Sequence, residues 1–250
     1  MITKKRRFLL SLVLLSIIGC YYIYSAYFTT IPSEKFYKDF GIEIPTQYTI
    51  HGIDVSKYQA AINWELVKAM KVKNIKIGFA FIKATEGITT IDSKFKYNWQ
   101  NATKNNITRG AYHYFLPNKN AVQQANNFVK QVELKSGDLP PVVDIEHLAG
   151  TNPKQMRVAL KTFLNLIENY YKVKPIVYSY ATFYRDYLGS DFDNYPLWIA
   201  HYKEKNKPDV IRPWQFWQHS EEGHVNGISH KVDFNVFNGD SAAFKKLLLP

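Results

Sequence analysis

Pro140-Pro-Val-Val-Asp-Ile-Glu146 is a short apolar run, opened by two prolines and closed by two acids. Its length and β-branched content mark a buried strand rather than a helical segment. Alternate side chains of a strand share a face, and the rise per residue separates positions 144 and 146 by roughly 6.6 Å along the chain. Asp144 and Glu146 therefore lie on one side of the strand's end. Two carboxyls crowded in this way titrate unequally, one held protonated while the other stays ionised. Acid-assisted cleavage of a glycosidic bond requires such a pair. Solvated surface acids, or an acid capping a following helix, are the competing reading.

Outward from this run, strand-like stretches recur along the chain. They are Ile50–Val55, Ile77–Lys83, Gly110–Phe115, Pro141–Ile145, Ile176–Tyr180, Leu197–His201, Trp214–Gln218 and Val232–Phe234. Helical patterns separate the earlier ones: Trp64–Lys71, Lys94–Asn105, Ala121–Leu134 and Pro153–Tyr171. In the last of these, Val158, Leu160, Phe163, Leu164, Ile167 and Tyr170 form a stripe near helical period. Asn152 is its expected N-cap, and Pro153 suits the first turn. Strand–helix alternation predicts a parallel α/β sheet, and eight strands predict a barrel. The stretch from Tyr202 to Asp233 is poorly helical. The expected fold is thus an irregular TIM-like (β/α) barrel with helices missing in the last third.

The chemistry-bearing residues fall at the ends of these strands. Asp54 closes His51-Gly-Ile-Asp-Val-Ser56, and Lys83, Thr85 and Glu86 close Phe79-Ala-Phe-Ile-Lys-Ala-Thr-Glu-Gly87. Gly110-Ala-Tyr-His-Tyr-Phe115 is an aromatic strand in which either Tyr112 and Tyr114 or His113 and Phe115 face the barrel. Trp198-Ile-Ala-His-Tyr202, Trp214-Gln-Phe-Trp-Gln218 and Val232-Asp-Phe-Asn235 complete the set. In a parallel barrel such ends converge at one mouth, where catalysis sits.

Taken in order from His51 to Gly239, these pieces resemble the glycoside hydrolase family 25 lysozymes, the Chalaropsis-type muramidases. The resemblance implies hydrolysis of the β-1,4 bond between N-acetylmuramic acid and N-acetylglucosamine. It matches Glu146 to the general acid, Asp144 to its partner carboxylate, and Asp54 and Asp233 to two further acids of the cleft. The nucleophile stays open between the substrate's own acetamido group and a carboxylate. The sequence departs from the family at Ala60, where Gly or Pro is usual, and at Thr90, where an aromatic residue or Leu is usual; both bear on loop shape. Tyr112, Tyr114, Tyr178, Trp198, Tyr202 and Trp217 are the candidate sugar-contacting aromatics. Lys83 and Glu86 are read as scaffold around the mouth, and His113 as a wall histidine. A non-catalytic wall-binding barrel and a glycosidase of chitin-like polymers are the alternatives.

The 250 residues are 46% hydrophobic, enough for one large core, and carry a net charge of +11. A basic surface favours polyanions. No helix-turn-helix, RNP or Cys/His finger pattern appears, so nucleic acid is not expected and an anionic wall polymer is. Cys20 is the single cysteine, so no internal disulfide forms. His147, His201, His219, His224 and His230 lack metal-ligand spacing, so neither metal nor other cofactor is expected.

Lys4-Lys-Arg-Arg7 precedes Phe8 to Phe28, 21 residues without a charge. This reads as an export signal or a membrane anchor with the N-terminus inside. Ile17-Ile-Gly-Cys20 resembles a lipobox, which would tether the chain through a lipidated Cys20. The expected organisation is a signal segment over 1–30, a stalk over 31–48 and a catalytic barrel over 49–250. A monomer is expected, tethered in a bacterial envelope and acting on peptidoglycan strands.

Overall fold

The computed structural model describes residue 6, residues 13–22 and residues 33–250. Among these residues eight strands close into a barrel. They are β1 (His51–Val55), β2 (Ile75–Glu86), β3 (Thr108–Tyr114), β4 (Val142–Asp144), β5 (Ile176–Tyr180), β6 (Leu197–Ala200), β7 (Phe216–Gly223) and β8 (Val232–Phe237). Each contains one of the eight stretches read from sequence or overlaps it. Neighbours from β1 to β7 run parallel. β8 is antiparallel to both β7 and β1, so the barrel is not wholly parallel as expected. The cause is the connection: only residues 224–231 join β7 to β8. A parallel crossover needs a dozen or more residues.

Helices Trp64–Ala69, Phe95–Lys104, Ala121–Gln131 and Pro153–Tyr171 fill the first four connections. Between β5 and β6 the chain makes only short helical turns, and among the described residues no helix lies between β6 and β8. The Asn63, Asn120 and Asn152 side chains each accept backbone N–H groups at helix starts, and Gln155 completes a capping box with Asn152. The longest helix buries Met156, Leu160, Phe163, Leu164 and Ile167. Val158 and Tyr170, counted in the stripe from sequence, lie on its solvent side at 63% and 60% exposure.

The lower barrel is packed with aromatic rings. Phe79 meets Phe81 and Phe216, and Phe244 of the helix Ser241–Leu247 plugs the floor against Phe79, Phe216 and Phe237. Gly52 and Gly110 make room for these rings: a Cβ at Gly52 would stand 2.5 Å from Phe79, and one at Gly110 2.6 Å from Phe81. Filling the lower half with hydrocarbon confines polar chemistry to the upper half.

The stretch read as a stalk folds onto the barrel. Strands Glu34–Tyr37 and Ile42–Pro45 pair as an antiparallel hairpin. Phe40, Ile42 and Ile44 are buried, and the Phe40 ring lies edge-on to Phe234 of β8 at 5.2 Å. Alternating apolar residues within 36–45 supply that buried face. Much of the apolar run Phe8–Phe28, read as the anchor, falls outside the described residues; residues 13–22 are helical. No helix among the described residues is long and apolar enough to cross a membrane.

Candidate active site

The cleft at the barrel mouth has a volume of about 210 Å³. Asp54, Lys83, Asp144, Glu146 and Asp233 all line it. Seven strands deliver residues from their C-terminal ends, whereas the reversed β8 delivers Asp233 from its beginning. Asp233 and Asp54 are direct cross-strand partners. Tyr112 and Tyr114 are the barrel-facing pair of β3, because both line the cleft. Tyr178, Trp198 and Tyr202 also line it.

Trp217 does not, contrary to expectation. It alternates to the outer side of β7, is fully buried, packs near Tyr48 and Trp214, and donates its indole N–H to His201 O at 2.8 Å. On this strand the inward positions are Phe216 and Gln218. His113 likewise faces outward: it hydrogen-bonds Thr85 Oγ1 at 2.7 Å and Gln124 Oε1 at 3.2 Å, and stacks on Phe163. Burial lowers its pKa to about 3, so it is a neutral wall residue.

Two amides that the sequence did not single out organise the floor. Gln218 Nε2 donates to Asp54 Oδ2 at 2.8 Å, and Asn235 Nδ2 donates to the same oxygen at 2.7 Å. Tyr178 and Tyr202 both donate to Gln218 Oε1, at 2.8 and 2.7 Å, and Trp198 Nε1 donates to Asn235 Oδ1 at 2.7 Å. Each donor fixes which way its amide points, so both N–H groups are aimed at Asp54. Lys83 is held elsewhere, in a 2.7 Å ion pair with Glu86.

Burial raises the pKa of Asp54, and the two amide donors and the hydrogen bond from Asp233 act in the opposite direction, favouring Asp54 as the charged partner of its pair. Asp233 carries the proton, pushed up to about 9 by burial, by the Asp54 charge and by the hydrogen bond it gives to Asp54. The pair thus bears one negative charge rather than two. The second pair behaves similarly. Burial and the adjacent Glu146 raise Asp144 far above the ordinary carboxylate range. Burial also raises Glu146, with the Tyr114 hydroxyl and Lys83 acting in the opposite direction. Asp144 is 6% exposed, and its Oδ1 receives no N–H or O–H donor among the described residues. Of the two, the more deeply buried Asp144 is thus pushed further towards its neutral form, the reverse of the order expected from sequence. Burial depth decides this: Glu146 lies nearer the opening and accepts from Tyr114 at 3.3 Å.

The loops beside the motifs follow from local chemistry. Ala60 adopts φ 57°, a left-handed conformation for which glycine is better suited. Asp92 ties two segments together by accepting from Lys57 N and Lys94 N, both at 2.9 Å. No group of three or more His, Cys, Asp or Glu among the described residues could hold a metal ion.

An α/β barrel whose mouth gathers two proton-sharing carboxyl pairs and a lining of tyrosines has the form of a glycoside hydrolase. The sequence profile of the glycosyl hydrolases family 25 matches residues 53–228. The chain belongs to that family and is a glycoside hydrolase of lysozyme type. It is 42% identical to the uncharacterized protein YegX of Escherichia coli O6:H1 (strain CFT073), over 95% of this chain and 93% of that protein. It is 36% identical to lysozyme M1 of Streptomyces globisporus, over 77% of this chain and 69% of that one. The crystal structure of the bacterial lysozyme from Streptomyces coelicolor superposes with a TM-score of 0.73 at 34% identity, covering 81% of this chain and 98% of the other.

Proposed function

We propose that this protein is an exported, membrane-tethered muramidase that cuts the β-1,4 bond between N-acetylmuramic acid and N-acetylglucosamine, acting as a monomer. Glu146 is the general acid and Asp144 its partner. The observation that carries this reading is the placement of two neighbouring carboxyls at unequal depth in one cleft, Asp144 buried and Glu146 half-buried, where burial raises both above the ordinary carboxylate range and favours one proton held between them. Passing that proton along the Asp144–Glu146 hydrogen bond places it on the carboxyl nearer the opening, within reach of a departing sugar oxygen. Asp144 is then left ionised beneath the sugar. Its unpartnered Oδ1 suits the N–H of a 2-acetamido group. Held in that orientation, the acetamido oxygen attacks the anomeric carbon as the C–O bond breaks, and the leaving oxygen takes the proton from Glu146. Water then opens the cyclic intermediate and returns a proton to Glu146.

Asp54 and Asp233 border the same cleft as a pair with one net charge, and Tyr112, Tyr178, Trp198 and Tyr202 form its aromatic floor. The tether reading rests on the basic residues Lys4–Arg7 ahead of the uncharged run to Phe28. Cys20 is exposed, as lipidation would require.

The test is digestion of purified peptidoglycan with product masses measured. Wild-type protein should release muropeptides with reducing N-acetylmuramic acid ends. Glu146→Gln should lose about 10²–10⁴-fold in rate, the ordinary worth of a general acid, while keeping the fold. Turnover within a few fold of wild type in that variant would remove Glu146 from the role.

A further inference from the structure

Tyr114 stands between two acceptors. Its hydroxyl is 3.3 Å from Glu146 Oε2 and 3.2 Å from His147 Nδ1, and its ring lies 5.7 Å from the imidazole at a 40° tilt. One hydroxyl hydrogen cannot serve both at full strength, so the two acceptors compete. The outcome matters because a hydrogen bond to a carboxylate favours its charged form, whereas one accepted from a carboxylic acid favours the neutral form.

We propose that His147 is a positioning residue which, through Tyr114, keeps Glu146 protonated for its role as acid. Neutral His147 offers a lone pair at Nδ1. Tyr114 turns its hydrogen to that nitrogen and presents its own oxygen lone pair to the Glu146 carboxyl proton. When His147 is protonated, Nδ1–H occupies the Tyr114 oxygen. The hydroxyl hydrogen must then point at Glu146 and hold it as a carboxylate. The same three atoms thus settle into either a productive or an unproductive arrangement, selected by the imidazole.

Other charged and titratable groups face this trio. Lys83 from β2 lies over the Tyr114 ring at 4.6 Å, with Glu86 paired to it. Asp144 contacts Glu146, and the fields of Asp54, Asp233 and Tyr180 also couple to it. All of them are retained when His147 or Tyr114 is changed, so differences between variants report on the trio. The proposal rests on Glu146 being the general acid.

The experiment is the pH profile of kcat/KM for the full chain on solubilised glycan strands, with Glu146→Gln as control. His147→Phe keeps a ring against Tyr114 but removes Nδ1. The basic limb should move to lower pH by about one unit, a tenfold loss above the limb. His147→Leu, a second variant lacking the acceptor, should behave alike if the first folds poorly. Tyr114→Phe takes away the oxygen that accepts the Glu146 proton, so it should move the limb the same way, and adding His147→Phe to it should produce no further shift. A histidine acting only through its charge would raise the limb on removal. A raised or unmoved limb in both His147 variants, or an equal shift in the Tyr114→Phe background, overturns the proposal. Undiminished turnover by Glu146→Gln would instead overturn the general-acid assignment on which it rests.

Discussion

Replacing Asp233 with Asn isolates the proton held between Asp233 and Asp54. The folded protein keeps that proton up to about pH 9, because burial and the Asp54 charge oppose its loss. An unfolded aspartate releases it near its ordinary value of 3.8. Between these limits the folded state binds one more proton than the unfolded state. Stability therefore falls as pH rises, by about 1.4 kcal/mol per pH unit. From about pH 6 to about pH 8 the wild type should lose about 2.7 kcal/mol through this one group. Asp233→Asn supplies a permanent N–H donor to Asp54 and cannot titrate. Its stability relative to wild type should rise by that amount over the same interval. Urea unfolding of both proteins at the two pH values measures it, and contributions from other groups cancel in the difference. A stability gap that stays constant with pH would show that Asp233 carries no such proton.

Three further outcomes follow from particular contacts. Gln218→Glu keeps the acceptor for Tyr178 and Tyr202 but replaces the N–H aimed at Asp54 with an oxygen. Its kcat/KM should fall about tenfold or more near neutral pH and recover partly in acid, where the new carboxyl regains a hydrogen, as a pH–rate series would show. Phe40→Ala empties a fully buried site between the N-terminal hairpin and β8. It should cost about 3–5 kcal/mol in chemical unfolding; a change below about 1 kcal/mol would mean that the hairpin is not part of the cooperative unit. Trp217→Phe loses the indole bond to His201 O on the outer wall. It should lower Tm while leaving KM for glycan strands unchanged, in contrast to changes at Tyr178.

Much of this architecture could be read in the chain because most barrel strands are short β-branched or aromatic runs with an acid, amide or tyrosine at or near one end. The start of the helix Pro153–Tyr171 is legible to the residue in Asn152 and Pro153, whose cap and first-turn preferences are local. What escaped depends on partners distant in sequence. The direction of β8 follows from how far β7 extends, and Ser220 to Gly223 look too polar for a buried strand. The hairpin 34–45 resembles a linker because its apolar residues are interleaved with charged ones and gain meaning only against Phe234. Trp217 and Gln218 are neighbours whose roles exchange if the strand turns over, and periodicity alone does not say which face looks inward. The amide clamp on Asp54 spans 164 and 181 positions, beyond any local pattern. The order of protonation within Asp144 and Glu146 depends on depth, which strand spacing does not encode.

The seam between β1 and β8 joins the beginning of the barrel to its final strand. Asp54 therefore waits for Asn235 and Asp233 until nearly all of the domain has left the ribosome. A nascent or truncated chain that stops short of Val232 has an open sheet and a lone carboxylate in place of a proton-sharing pair. Hydrolytic competence should thus arrive late and all at once, so incomplete synthesis products would be harmless to the wall of the cell that makes them.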